Sequence, residues 1–183
     1  MERIRVDDII TLKKADLKGK IICFPTDTVY GLGTLYGDQK ALKKIYNIKH
    51  RSHDKPLANL CSNLNQIEAL GINISALARN LMNQHWPGPL TIILQSNNEK
   101  ISFRMPDCLP ALKIINHFGL IPTTSVNESG EPELNSYQEI KDRFGTAIDY
   151  YIIDHWCFSG ISSTVVDLSK NEIEIIRQGS LKL

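Results

Sequence analysis

The sequence lacks closely spaced cysteines. Its four, Cys23, Cys61, Cys108 and Cys157, stand far apart, which removes the Cys-x-x-Cys zinc and redox motifs. Cys23 and Cys61 sit in apolar runs and read as small core residues, and all four suit a reduced compartment. A charge excess is also missing: 21 Lys+Arg against 20 Asp+Glu leave a net +1 at pH 7. A uniformly basic nucleic-acid coat is thereby excluded, and any basic patch must be local. No apolar run approaches the length of a membrane span, and the start, Met1-Glu2-Arg3-Ile4-Arg5, has no signal-peptide apolar region. A cytoplasmic protein without membrane contact is expected.

Several chemical signatures are absent too. There is no G-x-x-x-x-G-K-[ST], and Gly31, Gly33 and Gly37 give a pattern one residue off the dinucleotide fingerprint. If the chain binds ATP, it does so without a P-loop. No G-x-S-x-G elbow surrounds Ser125 or Ser163. His50-x-x-His53 finds no third or fourth ligand at a usual spacing, so no bound metal is expected. Repeats, low-complexity tracts and long linkers are missing as well. With 183 residues, 42% apolar and 22% charged, a single folded domain over 1–183 is expected.

What is present is an irregular alternation of helix and strand patterns. Val6 to Leu17 has apolar residues at 6, 9, 10, 12 and 17, an amphipathic spacing that Gly19 ends. Ile21 to Phe24 reads as a buried strand. Asp38 fits an N-cap, and Ala41, Leu42, Ile45, Tyr46 and Ile48 fall on one helical face. Pro56 to Cys61 reads as a strand. Ile74, Leu77, Ala78, Leu81 and Met82 form a helical stripe that Pro87 and Pro89 stop. Strands follow at Leu90–Leu94 and Ile101–Met105. Pro110 sits in the first turn of a helix to Phe118. Ile121–Ser125 is a strand, Asn135–Phe144 a helix, and Tyr151–Asp154, Ser163–Leu168 and Ile173–Ile176 are closing strands. Strands clustered late in the chain predict a mixed sheet in an α/β fold.

The stretch around which this pattern turns is Pro25-Thr26-Asp27-Thr28-Val29-Tyr30-Gly31-Leu32-Gly33. Hydroxyls, a carboxylate, a phenol and two glycines are poor packing material. Buried polar groups need partners, and glycines let backbone approach closely. Spacing alone leaves two readings open, a hydrogen-bonded strand-to-turn crossing and a ligand site. A second polar concentration lies between Lys40 and Lys55, where six cations meet one acid, Asp54. Lys40, Lys43 and Lys44 read as a solvated helix face. Lys49, Arg51 and Lys55 lie beyond the helix in a polar turn, where cations suit phosphate. Truncating Lys49 or Arg51 there is expected to open no core cavity.

Pro25-Thr26-Asp27-Thr28-Val29-Tyr30-Gly31-Leu32 resembles the opening signature of the YrdC-like family, the threonylcarbamoyl-AMP synthases. Four later stretches fit in the same order. They are Lys49-His50-Arg51 with Lys55-Pro56-Leu57; Trp86-Pro87-Gly88-Pro89-Leu90-Thr91; Ser125-Val126-Asn127-Glu128-Ser129-Gly130; and Ser163-Thr164-Val165-Val166-Asp167 followed by Arg177. The resemblance implies a twisted, mixed, largely open α/β sheet with flanking helices around a deep basic cavity. It implies an enzyme that joins L-threonine, bicarbonate and ATP into threonylcarbamoyl-AMP and pyrophosphate. The product feeds threonylcarbamoyladenosine modification of tRNA.

Carried over position by position, Lys49 and Arg51, with Lys55 nearby, are expected to hold the triphosphate. Ser125, Asn127 and Arg177 are expected to reach the nucleotide. Thr28, Arg104, Thr123 and Ser163 match the threonine-site positions, with Arg104 as partner for the threonine carboxylate because a guanidinium fork fits a carboxylate. Mg²⁺ is expected to travel with ATP. Downstream tRNA-modifying transferase proteins are expected partners, with weak direct tRNA contact an additional one. Three positions depart from the family pattern: Glu133 stands where many members have a small hydroxyl residue, Glu128 replaces a commonly apolar one, and Leu60 replaces a polar residue found in some. The alternatives are an RNA- or tRNA-binding module of the same fold and a paralogue acting on another carbamoyl or acyl substrate.

Overall fold

A computed structural model describes residues 1–97 and 99–183. In chain order its elements are β1 (Glu2–Ile4), α1 (Val6–Ile9), β2 (Ile22–Phe24), β3 (Gly31–Gly33), α2 (Gln39–Ile48), β4 (Ala58–Leu60), α3 (Asn65–Glu68) and α4 (Ala76–His85). Then come β5 (Leu90–Ser96), β6 (Glu99–Arg104), α5 (Leu109–Phe118), β7 (Ile121–Ser125), α6 (Tyr137–Phe144), β8 (Tyr150–Ile152), β9 (Thr164–Asp167) and β10 (Glu174–Arg177). The strands form one sheet in the order β1-β8-β2-β3-β7-β4-β6-β5-β9-β10. Its ladders are mixed: β2 pairs parallel with β8 and antiparallel with β3, while β5 pairs parallel with β9 and antiparallel with β6.

Local chemistry explains the boundaries. Asp38 accepts from the Ala41 amide at 3.0 Å and starts α2. Ser75 and Ser136 cap α4 and α6 in the same way. Pro110 occupies the first turn of α5, where its missing N–H costs nothing. The amphipathic pattern from Val6 to Leu17 is helical only to Ile9. Beyond it the chain goes through turns, and Gly19 takes φ +76°. The apolar residues there still reach the core, since Leu17 is fully buried. Periodicity therefore marked the buried side chains correctly, though not the backbone carrying them.

The two faces of the sheet are covered unequally. Ile22 and Phe24 pack with α1 and α5, whereas Ile21 and Cys23 pack with α2 and α6. That half of the sheet is buried on both sides. In the other half, Leu90, Ile92, Leu94, Phe103 and Val166 pack under α3 and α4. Each such buried side chain contributes about 1.5–3 kcal/mol. Strand alternation turns their neighbours Thr91, Ile93, Ser102, Arg104 and Val165 to the opposite face. No helix of the described residues packs there, and those side chains line a cavity instead. No helix is long and apolar enough to cross a membrane among the described residues.

Candidate active site

The cavity measures about 550 Å³. Its walls come from the β2–β3 crossing, from β5, β6, β7 and β9, and from Arg51 and Arg177 at its rim. The organising signature supplies the floor. Thr26 Oγ1 donates to the Val29 carbonyl at 2.6 Å and lies 3.1 Å from Thr28 Oγ1. Both threonines are almost fully buried, so the local hydrogen bonds replace lost water contacts. Thr28 thereby keeps a fixed hydroxyl facing Arg104.

Arg104 is 6% exposed and lies at the end of β6, opposite Leu60 in register. Its Nε donates to the Gly88 carbonyl at 3.1 Å and its Nη1 to Thr28 Oγ1 at 2.8 Å; its Nη2 pairs with Asp27. Burial pulls its pKa down, and the Asp27 carboxylate opposes the fall. Three of the five guanidinium N–H donors are committed, which leaves two for a ligand carboxylate. Asp27 has no role in the sequence-based site, yet it is the counter-charge that keeps Arg104 in place. Its position between two matched threonines was the available signal.

Ser163 is held from two sides. Its Oγ lies 2.8 Å from Thr91 Oγ1. Arg177 Nη2 donates to the Ser163 carbonyl at 2.8 Å and to its Oγ at 3.2 Å. Edge strand β10 thus folds its last cation inward. Burial lowers the Arg177 pKa; Glu133 opposes this and Arg51 adds to it. Thr123 and Ser125 alternate along β7 opposite Gly33 and Gly31. The glycines make room: a Cβ on Gly31 would come 2.7 Å from Thr123 Cγ2, and one on Gly33 would come 2.6 Å from Ile121 Cγ2.

The polar turn after α2 divides its cations between different tasks. Arg51 lines the cavity, with Nε on the Lys55 carbonyl at 2.8 Å and Nη2 on the Pro56 carbonyl at 3.2 Å. Lys55 is exposed, and its backbone rather than its ammonium supports Arg51. Lys49 is 1% exposed. Its Nζ donates to the carbonyls of Ser125 and Asn127 at 2.6 and 2.5 Å and to Asn127 Oδ1 at 2.8 Å. Truncating it would therefore leave a hole and take the ammonium from two carbonyls and the Asn127 side chain, unlike the sequence-based expectation for a polar turn. Burial brings its pKa down to about 8, the like charge of Arg51 adds to the fall, and Glu133 opposes it. Ser125 Oγ donates to Asn127 Oδ1 at 2.7 Å, which completes a turn ordered around one ammonium.

Thr28, Arg51, Arg104, Thr123, Ser125, Ser163 and Arg177 thus converge on one cavity, and Lys49 and Asn127 form the turn behind it. Thr91, Lys100 and Ser102 join them without having been singled out. Thr91 ends the quoted Trp-Pro-Gly-Pro-Leu-Thr stretch, and Ser102 shares the Arg104 face of its strand, so both were within reach of the pattern. The Lys100 ammonium pairs with Asp167 at 2.6 Å, a contact 67 residues away that local spacing does not announce.

Comparison with known proteins follows the same geometry. A family model covering Sua5, YciO and YrdC, described as telomere recombination, matches residues 15–179. A Methanocaldococcus jannaschii relative is 34% identical over 182 residues, spanning 94% of this chain and 86% of that protein. The threonylcarbamoyl-AMP synthase of Pyrococcus abyssi is 34% identical over 177 residues, and the match spans 91% of this chain but only 52% of the relative. The structure of P. abyssi Sua5 complexed with L-threonine superposes with a TM-score of 0.86 at 31% identity, over 98% of this chain and 56% of that one. The present chain therefore spans about half the length of the P. abyssi protein. A match over most of the chain, with the same fold at this level of identity, places it plainly: the chain belongs to the Sua5/YciO/YrdC family.

Proposed function

We propose that this chain is a threonylcarbamoyl-AMP synthase, joining L-threonine, bicarbonate and MgATP, with release of pyrophosphate, for threonylcarbamoyladenosine modification of tRNA. The observation that carries the reading is the cavity itself. It sets a buried arginine with two uncommitted N–H donors beside fixed hydroxyls, with further cations at the rim. The threonylcarbamoyl-AMP synthase of P. abyssi is 34% identical over 91% of this chain, and P. abyssi Sua5 was solved with L-threonine bound.

Threonine enters with its carboxylate on Arg104 and its polar atoms among Thr28, Thr123 and Ser163. The amine nitrogen attacks bicarbonate carbon, and water leaves to give the carbamate. A carbamate oxygen then attacks the α-phosphorus of ATP, and pyrophosphate departs. The nucleotide lies along Ser125 and Asn127, with phosphate charge neutralised by Arg51 and Arg177. Lys49 contributes by ordering the Ser125–Asn127 turn and by adding charge behind it. None of these steps needs a covalent enzyme intermediate. They need positioning and fixed positive charge, which the cavity supplies. Downstream tRNA-modifying proteins take the product, and weak direct tRNA contact belongs to the same reading.

The reading is tested by pyrophosphate release from MgATP. Release should require both threonine and bicarbonate. Release that is independent of threonine, or absent with all substrates present, would refute it.

A further inference from the structure

Glu133 lies between β7 and α6, and its Oε1 accepts a hydrogen bond from Ser162 Oγ at 2.6 Å. Ser162 lines the cavity, as do Arg51 and Arg177. The bond therefore ties loop 126–136 to loop 153–163 beside the cavity cations. The Glu133 charge reaches Lys49 and Arg177, since it opposes the fall of both pKa values, and both also sense Arg51. Lys49, Arg51 and Arg177 share a neighbourhood with Glu133, and the Asp54 carboxylate also lines the cavity. Among the described residues Glu133 makes no ion pair at contact distance. A hydroxyl, not a cation, fixes where its charge sits.

A second observation concerns the same loop. Asn135 Oδ1 is the buried side-chain atom left without a hydrogen-bond partner among the described residues. Its amide reaches only the Glu133 carbonyl, at 3.5 Å. An orphaned buried acceptor destabilises the arrangement that contains it. The loop that holds Glu133 on Ser162 thus also carries an unpartnered acceptor.

We propose that Glu133 is an affinity-determining residue of the phosphate subsite, a built-in carboxylate that competes with nucleotide phosphates for the field of Lys49, Arg51 and Arg177. The proposal rests on reading the cavity as a nucleotide site. A phosphate entering that field meets a like charge. The carboxylate must turn away and release Ser162, or stay and repel. Either course weakens binding, and more so as phosphate charge increases. The same repulsion acts on pyrophosphate after transfer and speeds its departure.

The test is calorimetric titration of wild type and Glu133→Gln with MgATP and, separately, with AMP. Glutamine keeps the shape and an acceptor for Ser162 while removing the charge. ATP affinity should rise about threefold to tenfold in the variant, and AMP affinity by less than about twofold, because AMP lacks the β- and γ-phosphates that would enter the field shared by Glu133, Arg51 and Arg177. Unchanged or weaker ATP binding, or an equal gain for both ligands, overturns the proposal. A wild type that binds ATP as tightly as the variant removes this proposal alone, whereas no ATP binding by either protein removes the nucleotide reading beneath it.

Discussion

The Lys49 ammonium lies 2.6 Å from the Ser125 carbonyl oxygen, joining the end of α2 to the end of β7 across 76 residues of sequence. Two further bonds, to the carbonyl and side chain of Asn127, make it the centre of that turn. Lys49→Ala should cost about 2–4 kcal/mol of stability, because each buried acceptor left unpaired costs about 1–3 kcal/mol and part of that loss is recovered by water. Arg51→Ala, at the cavity rim, should leave stability within about 1 kcal/mol and weaken ATP use about 10- to 150-fold. Urea unfolding and ATP kinetics on the two variants check the contrast; equal stability losses would contradict it.

The same lysine predicts a pH dependence. Its pKa in the folded chain is about 8, below the ordinary 10.5. Between these values the unfolded chain binds more protons than the folded one, so this group's contribution to stability grows as pH rises. Relative to Lys49→Met, wild type should gain about 2 kcal/mol between about pH 7.5 and about pH 9.5. The reference variant is needed because Cys61 and Cys108, pushed up to about 12 by burial, act in the opposite direction once pH passes their ordinary 9.0. A wild-type stability that runs parallel to the variant's across this range would show that Lys49 keeps a normal pKa.

Arg104→Lys keeps the charge and loses the three divergent contacts to Gly88, Thr28 and Asp27. The threonine KM should rise about tenfold or more, by the loss of a charge-assisted contact, while ATP dependence changes little. Separate titration of the two substrates decides. An equal loss for both would show that Arg104 acts on the fold rather than on threonine.

Gly31→Ala should cost about 1–3 kcal/mol through overpacking, since the new Cβ would stand 2.7 Å from Thr123 Cγ2. It should also raise the threonine KM by displacing Thr123. Adding Thr123→Ser removes the clashing methyl and keeps the hydroxyl, so the double variant should recover much of both. Thermal unfolding and threonine kinetics test this; no recovery would locate the strain elsewhere.

Much of this was legible in the sequence because the sheet half that bears the cavity obeys strict alternation. Alternation along the strand expected at Ile101–Met105 puts Ser102 and Arg104 on one face with Phe103 on the other, and they are so placed. Caps and prolines bounded α2, α4 and α5. The element missed at the centre was β3, because Gly31-Leu32-Gly33 has little strand propensity. Its place is set by pairing with β2 and β7 and by the side chains that fill the space above the glycines. The interior position of Lys49 was hidden for a different reason. A lysine just after a helix ordinarily reaches water, and only the return of residues 125–127, far along the chain, buries it.

The central claim is most directly tested by mass spectrometry of the product formed from MgATP, bicarbonate and a mixture of amino acids, with pyrophosphate measured in parallel. The account predicts the mass of threonylcarbamoyl-AMP, one pyrophosphate per product, and loss of both when threonine or bicarbonate is withheld. ATP consumed without that adduct, or an adduct of another amino acid in its place, would contradict it.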